Sequence, residues 1–167
     1  PSTRTAEPGK SLEIVVPTNS SIVAPVVRSA APTPTRSASR SVAGGSAATA
    51  TRSGKRVLAL INDFQQPAGA TTAVRVFVNG DNVSSATPVT DPSYVGTFGF
   101  FGGRHQGHSN HAGGSSLIVD LTRALQNLEA SGKPVGDAIR VQIVPISVSR
   151  RANAAPVTLA NVEILVI

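Results

Sequence analysis

The apolar residues of this chain recur mainly with the two-residue period of β-strands. Val74, Val76 and Val78 share one face of a run whose other face carries Arg75 and Phe77, and an Asn-Gly-Asp-Asn turn ends that run. Alternation of this kind, or a short apolar run of strand-like composition, predicts strands over residues 12–16, 22–27, 57–61, 73–78, 94–101, 116–119, 139–145 and 157–167. β-Branched residues dominate the long apolar runs, which favours sheet over helix.

One helix interrupts the strand pattern. Leu121, Leu125 and Leu128 recur at helical spacing, and Asp120 is placed to cap the N terminus. A Ser-Gly-Lys-Pro sequence at residues 131–134 ends the run. Six or more strands with a single short helix indicate an all-β fold, either an antiparallel β-sandwich or a jelly-roll-like barrel.

The charge is distributed unevenly along the 167 residues. Residues 1–56 hold eight basic and two acidic side chains, whereas residues 57–167 hold seven of each, so the whole net charge of +6 lies in the N-terminal third. Residues 29–54 consist mostly of Ala, Ser, Thr, Pro, Gly and Arg, which is typical of linkers. We predict a basic linker with two short strand-like runs over residues 1–55, and a β-sandwich domain over residues 56–167.

The residues that the sequence lacks exclude several functional classes. Without Cys there is no thiolate nucleophile and no disulfide, and neither a nucleophile elbow nor a P-loop is present. No apolar stretch approaches the roughly 18 residues that span a bilayer, and residues 1–10 lack the apolar part of a signal peptide. We expect a soluble chain with no membrane partner, which begins after processing or as an excised fragment, and no enzymatic activity from this chain alone.

The aromatic residues are concentrated in one stretch. Residues 94–103, YVGTFGFFGG, hold four of the six aromatic rings in the chain. Alternation assigns Phe98 to the core. Phe100 and Phe101 follow a glycine and precede two more, so at least one of them is a candidate to project from the end of the strand.

All three histidines follow directly after the aromatic stretch. His105, His108 and His111 recur every third residue in a segment rich in Gly, Ser and Asn. Neutral imidazole is a good ligand for copper or zinc, and a flexible loop can close on an ion without a preformed site. Three interpretations stay open: a polar loop that binds no metal, transient copper binding, and a structural metal site.

Five stretches in series carry a resemblance to a known family. They are AVRVFVNGDN at 73–82, PSYVGTFGFFGG at 92–103, SLIVDLTRALQNLEA at 116–130, IRVQIVPIS at 139–147 and VTLANVEILVI at 157–167. Together they resemble the C-terminal domain of tyrosinases and polyphenol oxidases, the lid that covers the dicopper site of the latent enzyme. The double Phe after a glycine and the lack of a lysine-rich loop favour a bacterial rather than a plant relative.

The resemblance implies a shielding domain that keeps a type-3 copper tyrosinase latent until proteolysis in the linker releases it. Such an enzyme binds two copper ions through six histidines, so the three histidines here cannot form that centre. The catalytic domain, with both coppers, would then be another part of the same precursor, and we expect a periplasmic or secreted protein.

The family also implies a plug residue that occupies the place of the phenol substrate over the coppers. A phenyl ring imitates the substrate but has no hydroxyl to oxidise, so Phe100 and Phe101 are the plug candidates. Tyr94 is a weaker candidate because its hydroxyl can itself be oxidised.

Two other functions stay open from the sequence. A basic arm ahead of a jelly roll is also found in small capsid proteins, whose arms neutralise packaged nucleic acid. A copper-delivery partner protein of a bacterial tyrosinase would use the histidine segment. A sugar-binding module is disfavoured, since the chain has no Trp and one Tyr to form a stacking platform.

Overall fold

Two open antiparallel β-sheets share one core. The structure, a computed structural model, describes residues 3–29, 55–65, 72–99, 115–149 and 153–167. The elements are β1 (Arg4–Ala6), β2 (Leu12–Pro17), α1 (Ser20–Ser29), β3 (Val57–Phe64), β4 (Thr72–Val78), β5 (Tyr94–Gly99), β6 (Ser115–Asp120), α2 (Thr122–Ala130), β7 (Ala138–Ser147), β8 (Val157–Leu159) and β9 (Asn161–Val166). Within these ranges no helix is long and apolar enough to cross a membrane.

The larger sheet has the strand order β2-β7-β4-β5, and the smaller sheet has the order β6-β3-β9. A separate pair joins β1 to β8, and every pairing is antiparallel. The described strands do not close into a barrel. The predicted all-β class is therefore confirmed, with the sandwich rather than the barrel as its architecture.

Alternating side chains from both sheets build the core. From β3 these are Val57, Ala59 and Ile61, and from β4 they are Val74, Val76 and Val78. All six are fully buried. For β4 these are the residues that the two-residue alternation placed on one face. Burial of such aliphatic side chains is the main favourable contribution to the folding of a sandwich.

The predicted helix is confirmed as α2. The Asp120 carboxylate accepts a hydrogen bond from the Thr122 N–H at 2.9 Å, although Leu121 holds the N-cap position itself. At the other end, Gly132 has a φ of +86°, a left-handed conformation that costs glycine no steric clash. The N–H groups of Gly132 and Lys133 donate to carbonyls of the last turn, as in a Schellman motif.

The predicted strand over residues 22–27 is wrong, because this stretch lies within helix α1. Its buried side chains recur at helical spacing: Val23, Ala24, Val26 and Val27. The Asn19 side-chain oxygen accepts a hydrogen bond from the Ser21 N–H at 3.0 Å and so satisfies a donor of the first turn. β-Branched composition favoured a strand, but packing of this face on the core and on α2 overrides the propensity. The described fold thus contains two helices instead of one.

The assignment of residues 1–55 to a linker also needs correction, over residues 4–29. Strand β2 pairs with β7 along its whole length, from Leu12 opposite Ile143 to Pro17 opposite Ala138. Side chains of β1, β2 and α1 are buried in the same core as those of the later strands. Strand β2 forms one edge of the larger sheet, and α1 packs on the core. The mostly polar composition of residues 1–55 concealed both roles. Residues 30–54, the rest of the predicted linker, lie outside the described residues.

Candidate functional site

Most residues predicted to act at a site lie outside the described part of the chain. They are Phe100, Phe101, His105, His108 and His111. Within the described ranges, no group of three His, Asp or Glu side chains is placed to hold a metal ion. The plug role and the metal role of these five residues therefore stay predictions.

The strand ends on either side of that stretch are described. Strand β5 ends at Gly99, beside Ala73 of β4, and β6 begins at Ser115, beside Phe64 of β3. Each of these two strands forms an edge of a different sheet. The described residues on either side of the candidate stretch, Gly99 and Ser115, therefore belong to different sheets.

A β-bulge turns Tyr94 away from the main core. The pairing of β5 with β4 slips between Val76, which faces Gly96, and Phe77, which faces Tyr94. The Tyr94 and Phe77 rings meet edge to face with their centroids 5.5 Å apart. The Tyr94 hydroxyl lies 2.8 Å from the Thr97 hydroxyl, a contact that a regular strand would not allow between residues three apart.

Phe98 points to the opposite face of β5. It is half-buried and packs against the main core, beside Val74 of β4. A Cβ atom at Gly96 would lie 3.3 Å from the Phe98 ring, so the glycine gives that ring room. The prediction that Phe98 belongs to the core is confirmed.

The segment between β4 and β5, residues 79–93, covers the outer face of the larger sheet. A second apolar cluster lies beneath it, formed by Phe77, Val83, Tyr94, Val144 and Ile146. The Arg75 guanidinium donates from one nitrogen to the carbonyls of Ser85 and Thr87, at 3.1 and 3.2 Å. These bonds hold the segment against the sheet. The sequence pattern identified the turn at its start but not this cover.

An open cleft of about 560 Å³ is lined by residues 80–84 of that segment, by residues 9–11, by Glu13 of β2, and by Arg140 and Gln142 of β7. In it the Arg140 guanidinium lies 3.6 Å from an Asp81 carboxylate oxygen and 3.8 Å from one of Glu13. Lys133 forms an ion pair with Asp81. The hydrogen bond and positive charge of Lys133, with a smaller contribution from Arg140, lower the pKa of Asp81. Because all these groups are solvent-exposed, the pairs join neighbouring elements without adding much stability.

The outer face of the smaller sheet is the third feature of the described surface. It carries an aliphatic set that we call the open face: Leu58, Leu60, Ile118, Leu165 and Ile167. Their register places them side by side across β3, β6 and the end of β9. The sequence pattern contained a signal for this surface, because β3 reads VLALI without alternation, but it did not reveal which side was left uncovered.

In sequence, residues 19–165 match the profile of a family described as "Domain of unknown function (DUF7868)". No curated protein matches the chain significantly. The family match covers both helices and most strands of the fold.

The fold itself is similar to parts of larger solved structures. Recombinantly expressed latent aurone synthase (polyphenol oxidase) is 16% identical with a TM-score of 0.53, over 98% of this chain and 25% of that chain. A crystal of this enzyme with hexatungstotellurate(VI), soaked in H2O2, gives 15% identity and a TM-score of 0.51, over 95% and 24%. Latent apple tyrosinase is 19% identical, over 67% and 21%, with a TM-score of 0.46. At such identities the likeness shows a shared fold, and this chain spans about a quarter of the matched chains.

Proposed function

The chain belongs to the DUF7868 family, and we propose that it is the C-terminal shielding domain of a type-3 copper tyrosinase or polyphenol oxidase. In that role it covers the dicopper site of a catalytic part of the same precursor and keeps the enzyme latent. The observation that carries the proposal is the fold shared with latent aurone synthase (polyphenol oxidase) over nearly all of this chain. The five sequence stretches that resemble such domains, in the same order, support it as well.

The proposed plug is Phe100 or Phe101, which follow directly after β5. This choice is supported by the position of Phe100 directly after Gly99, the last residue of an edge strand of the sandwich. Tyr94 becomes a poorer candidate for a structural reason. Its ring packs on Phe77 and its hydroxyl contacts Thr97, so both the ring and the hydroxyl already have partners within the domain.

Catalysis belongs to the other part of the precursor under this proposal, and so do the two copper ions. We assign no catalytic residue to this chain. His105, His108 and His111 would at most bind copper in passing, close in sequence to the plug. The same resemblance is the ground for proposing a bacterial precursor that acts in the periplasm or outside the cell.

The test uses the complete natural polypeptide that contains these residues. A protease site is introduced ahead of Pro1, and phenol oxidation is followed before the cut and after removal of the domain. We expect the activity to rise on removal, and Phe100→Ala or Phe101→Ala to raise the activity of the uncut protein. The proposal fails if the reading frame encodes no copper-binding histidine region, or if removal leaves phenol oxidation unchanged.

A further inference from the structure

We propose that the open face is the surface with which this domain docks on the catalytic part. The inference rests on the proposed function and adds the contact surface, which neither the family nor the shared fold assigns.

The aliphatic side chains of the open face are contiguous; Leu58 and Leu60 at its centre are half-buried, and the other three are exposed. The exposed fractions are 61% for Ile118, 39% for Leu165 and 65% for Ile167. Ile118 lies beside Leu60 and Leu165 lies beside Leu58, so the apolar patch crosses all three strands. A solvated face of an antiparallel sheet normally carries the polar half of an alternating pattern, whereas a strand that is apolar on both faces is typically covered on both. The smaller sheet therefore has a face suited to burial.

The other outer face of the sandwich is not available for docking. Phe77 and Val144 of the larger sheet have no exposed surface, because residues 79–93 of the chain itself cover them. The two outer faces thus differ. Residues 79–93 cover the outer face of the larger sheet, whereas no described residues cover the outer face of the smaller sheet.

Polar groups border the patch, with Glu163 of β9 opposite Leu60 and Asp120 of β6 opposite Leu58. Asn62 and Asn161 both donate to one oxygen of Glu163, at 3.0 and 3.2 Å. Arg56 lies 3.7 Å from Asp120. An apolar centre with a polar rim is the usual anatomy of a protein interface. Glu163 forms no ion pair with any described residue, so a Lys or Arg of the partner would complement it.

The size of the open face favours a tethered partner over a second copy of the chain. Three strands that are spaced about 4.8 Å apart and are six residues long give the sheet an outer face of roughly 300 Å². A stable complex of two separate proteins buries about 800 Å² on each partner. A covalently attached partner needs less area, since a short linker supplies an effective concentration on the order of millimolar.

Thiol labelling of the uncut polypeptide tests this surface. The chain has no cysteine of its own, so Ile118→Cys and Leu165→Cys each introduce one thiol on the open face. Ile22→Cys, on α1 at 55% exposure, is the matched control away from that face. Each variant is labelled with a maleimide in the uncut polypeptide and again after the cut ahead of Pro1 and dilution. Peptide masses identify the labelled site, and thermal melting checks that each variant is folded.

We expect the thiols at positions 118 and 165 to react about tenfold or more slowly in the uncut polypeptide, since only the undocked fraction reacts. The control thiol should react at the same rate in both states. Equal rates at positions 118 and 165 before and after release would overturn the docking surface, even if release still raises the activity. Protection of the control as strongly as the open face would overturn it too. Protection of the open face without any rise in activity on release would instead contradict the shielding role and leave the docking surface standing.

Discussion

Gln142 and Gly80 hold each other through two hydrogen bonds. The Gly80 N–H donates to Gln142 Oε1 at 2.9 Å, and Gln142 Nε2 donates to the Gly80 carbonyl at 3.0 Å. Gln142 is only 2% exposed, although it is an amide in the middle of β7. Its side chain fixes the start of residues 79–93 over the Phe77 cluster, and it reaches Glu13 of β2 at 3.4 Å.

Gln142→Leu should destabilise the fold by about 2–3 kcal/mol, because it leaves a buried N–H and a buried carbonyl without partners. Urea unfolding followed by circular dichroism measures the loss. The matched control is Gln65→Leu, at an exposed glutamine, which should change the free energy of unfolding by less than about 0.5 kcal/mol. Equal effects of the two substitutions would contradict the structural role of Gln142.

Gly80→Ala tests the same contact from the other side. A Cβ atom at Gly80 would collide with the Val83 and Ser93 side chains, so the segment has to shift away from Gln142. We expect a loss of about 1–3 kcal/mol in urea unfolding, as is usual when a packed site is overfilled. A variant as stable as the wild type would show that the segment accommodates the methyl group without strain.

Because Asp81 forms an ion pair with Lys133, we expect the stability of the fold to fall at acidic pH. The pKa of Asp81 is lowered in the folded chain, so its contribution to stability is present above the ordinary aspartate pKa of about 3.9 and is lost as the pH falls through the lowered value. NMR titration should therefore place Asp81 below the ordinary range. In Lys133→Ala the pKa should move back up, whereas Lys55→Ala, which lies outside this network, should leave it unchanged. An Asp81 pKa that does not respond to Lys133→Ala would contradict the pair.

The sequence predicted most strands because two-residue alternation is a local property. The assignment of Val74, Val76 and Val78 to one face of a strand required no information about the strands that pair with it. The contact of Gln142 with Gly80 joins residues 62 positions apart, and no local pattern indicates it. The prediction for residues 22–27 was wrong for a different reason. The β-branched composition of this short run favoured a strand, its apolar residues also fit helical spacing, and tertiary packing decided for the helix.

The site was less predictable than the fold. The face to which Tyr94 points depends on the bulge opposite Phe77, and a bulge arises from strand pairing rather than from the sequence of one strand. The composition of β3 indicates a strand covered on both faces, but only the exposure of Ile118, Leu165 and Ile167 shows that no described element covers the outer side of its sheet.

Tyr94 should matter for stability and not for latency. Tyr94→Ala removes the ring that packs on Phe77 and should cost about 2 kcal/mol in urea unfolding, less than for a fully buried aromatic residue. Tyr94→Phe loses only the exposed contact with Thr97 and should cost about 0.5–1 kcal/mol. Under the proposed function neither change raises phenol oxidation by the uncut polypeptide, in contrast to Phe100→Ala or Phe101→Ala. If Tyr94→Phe raised phenol oxidation by the uncut polypeptide, Tyr94 would again be a candidate for the plug.

Cleavage within residues 30–54 should not release the domain. The piece before such a cut contains β2, which is paired with β7 along its whole length, and α1, which packs on α2. The Arg28 guanidinium lies 2.8 Å from the Glu129 carboxylate, and Gln126 Nε2 donates to the Val27 carbonyl at 2.9 Å. Since these contacts and the buried side chains of α1 all survive the cut, the two pieces should elute together from a sizing column.

This prediction changes where the activating cut has to lie. A cut ahead of β1 frees the whole sandwich. A cut within residues 30–54 instead leaves β2 and α1 covalently attached to the preceding part of the precursor, and the rest of the sandwich stays bound to β2 and α1. Native mass spectrometry of the nicked protein distinguishes the outcomes. In the control Val27→Asp a charge enters the buried face of α1, so the nicked pieces should separate. If the nicked wild-type pieces separate at micromolar concentration, the pairing of β2 with β7 is too weak to hold them, and cleavage within residues 30–54 would suffice to expose a dicopper site.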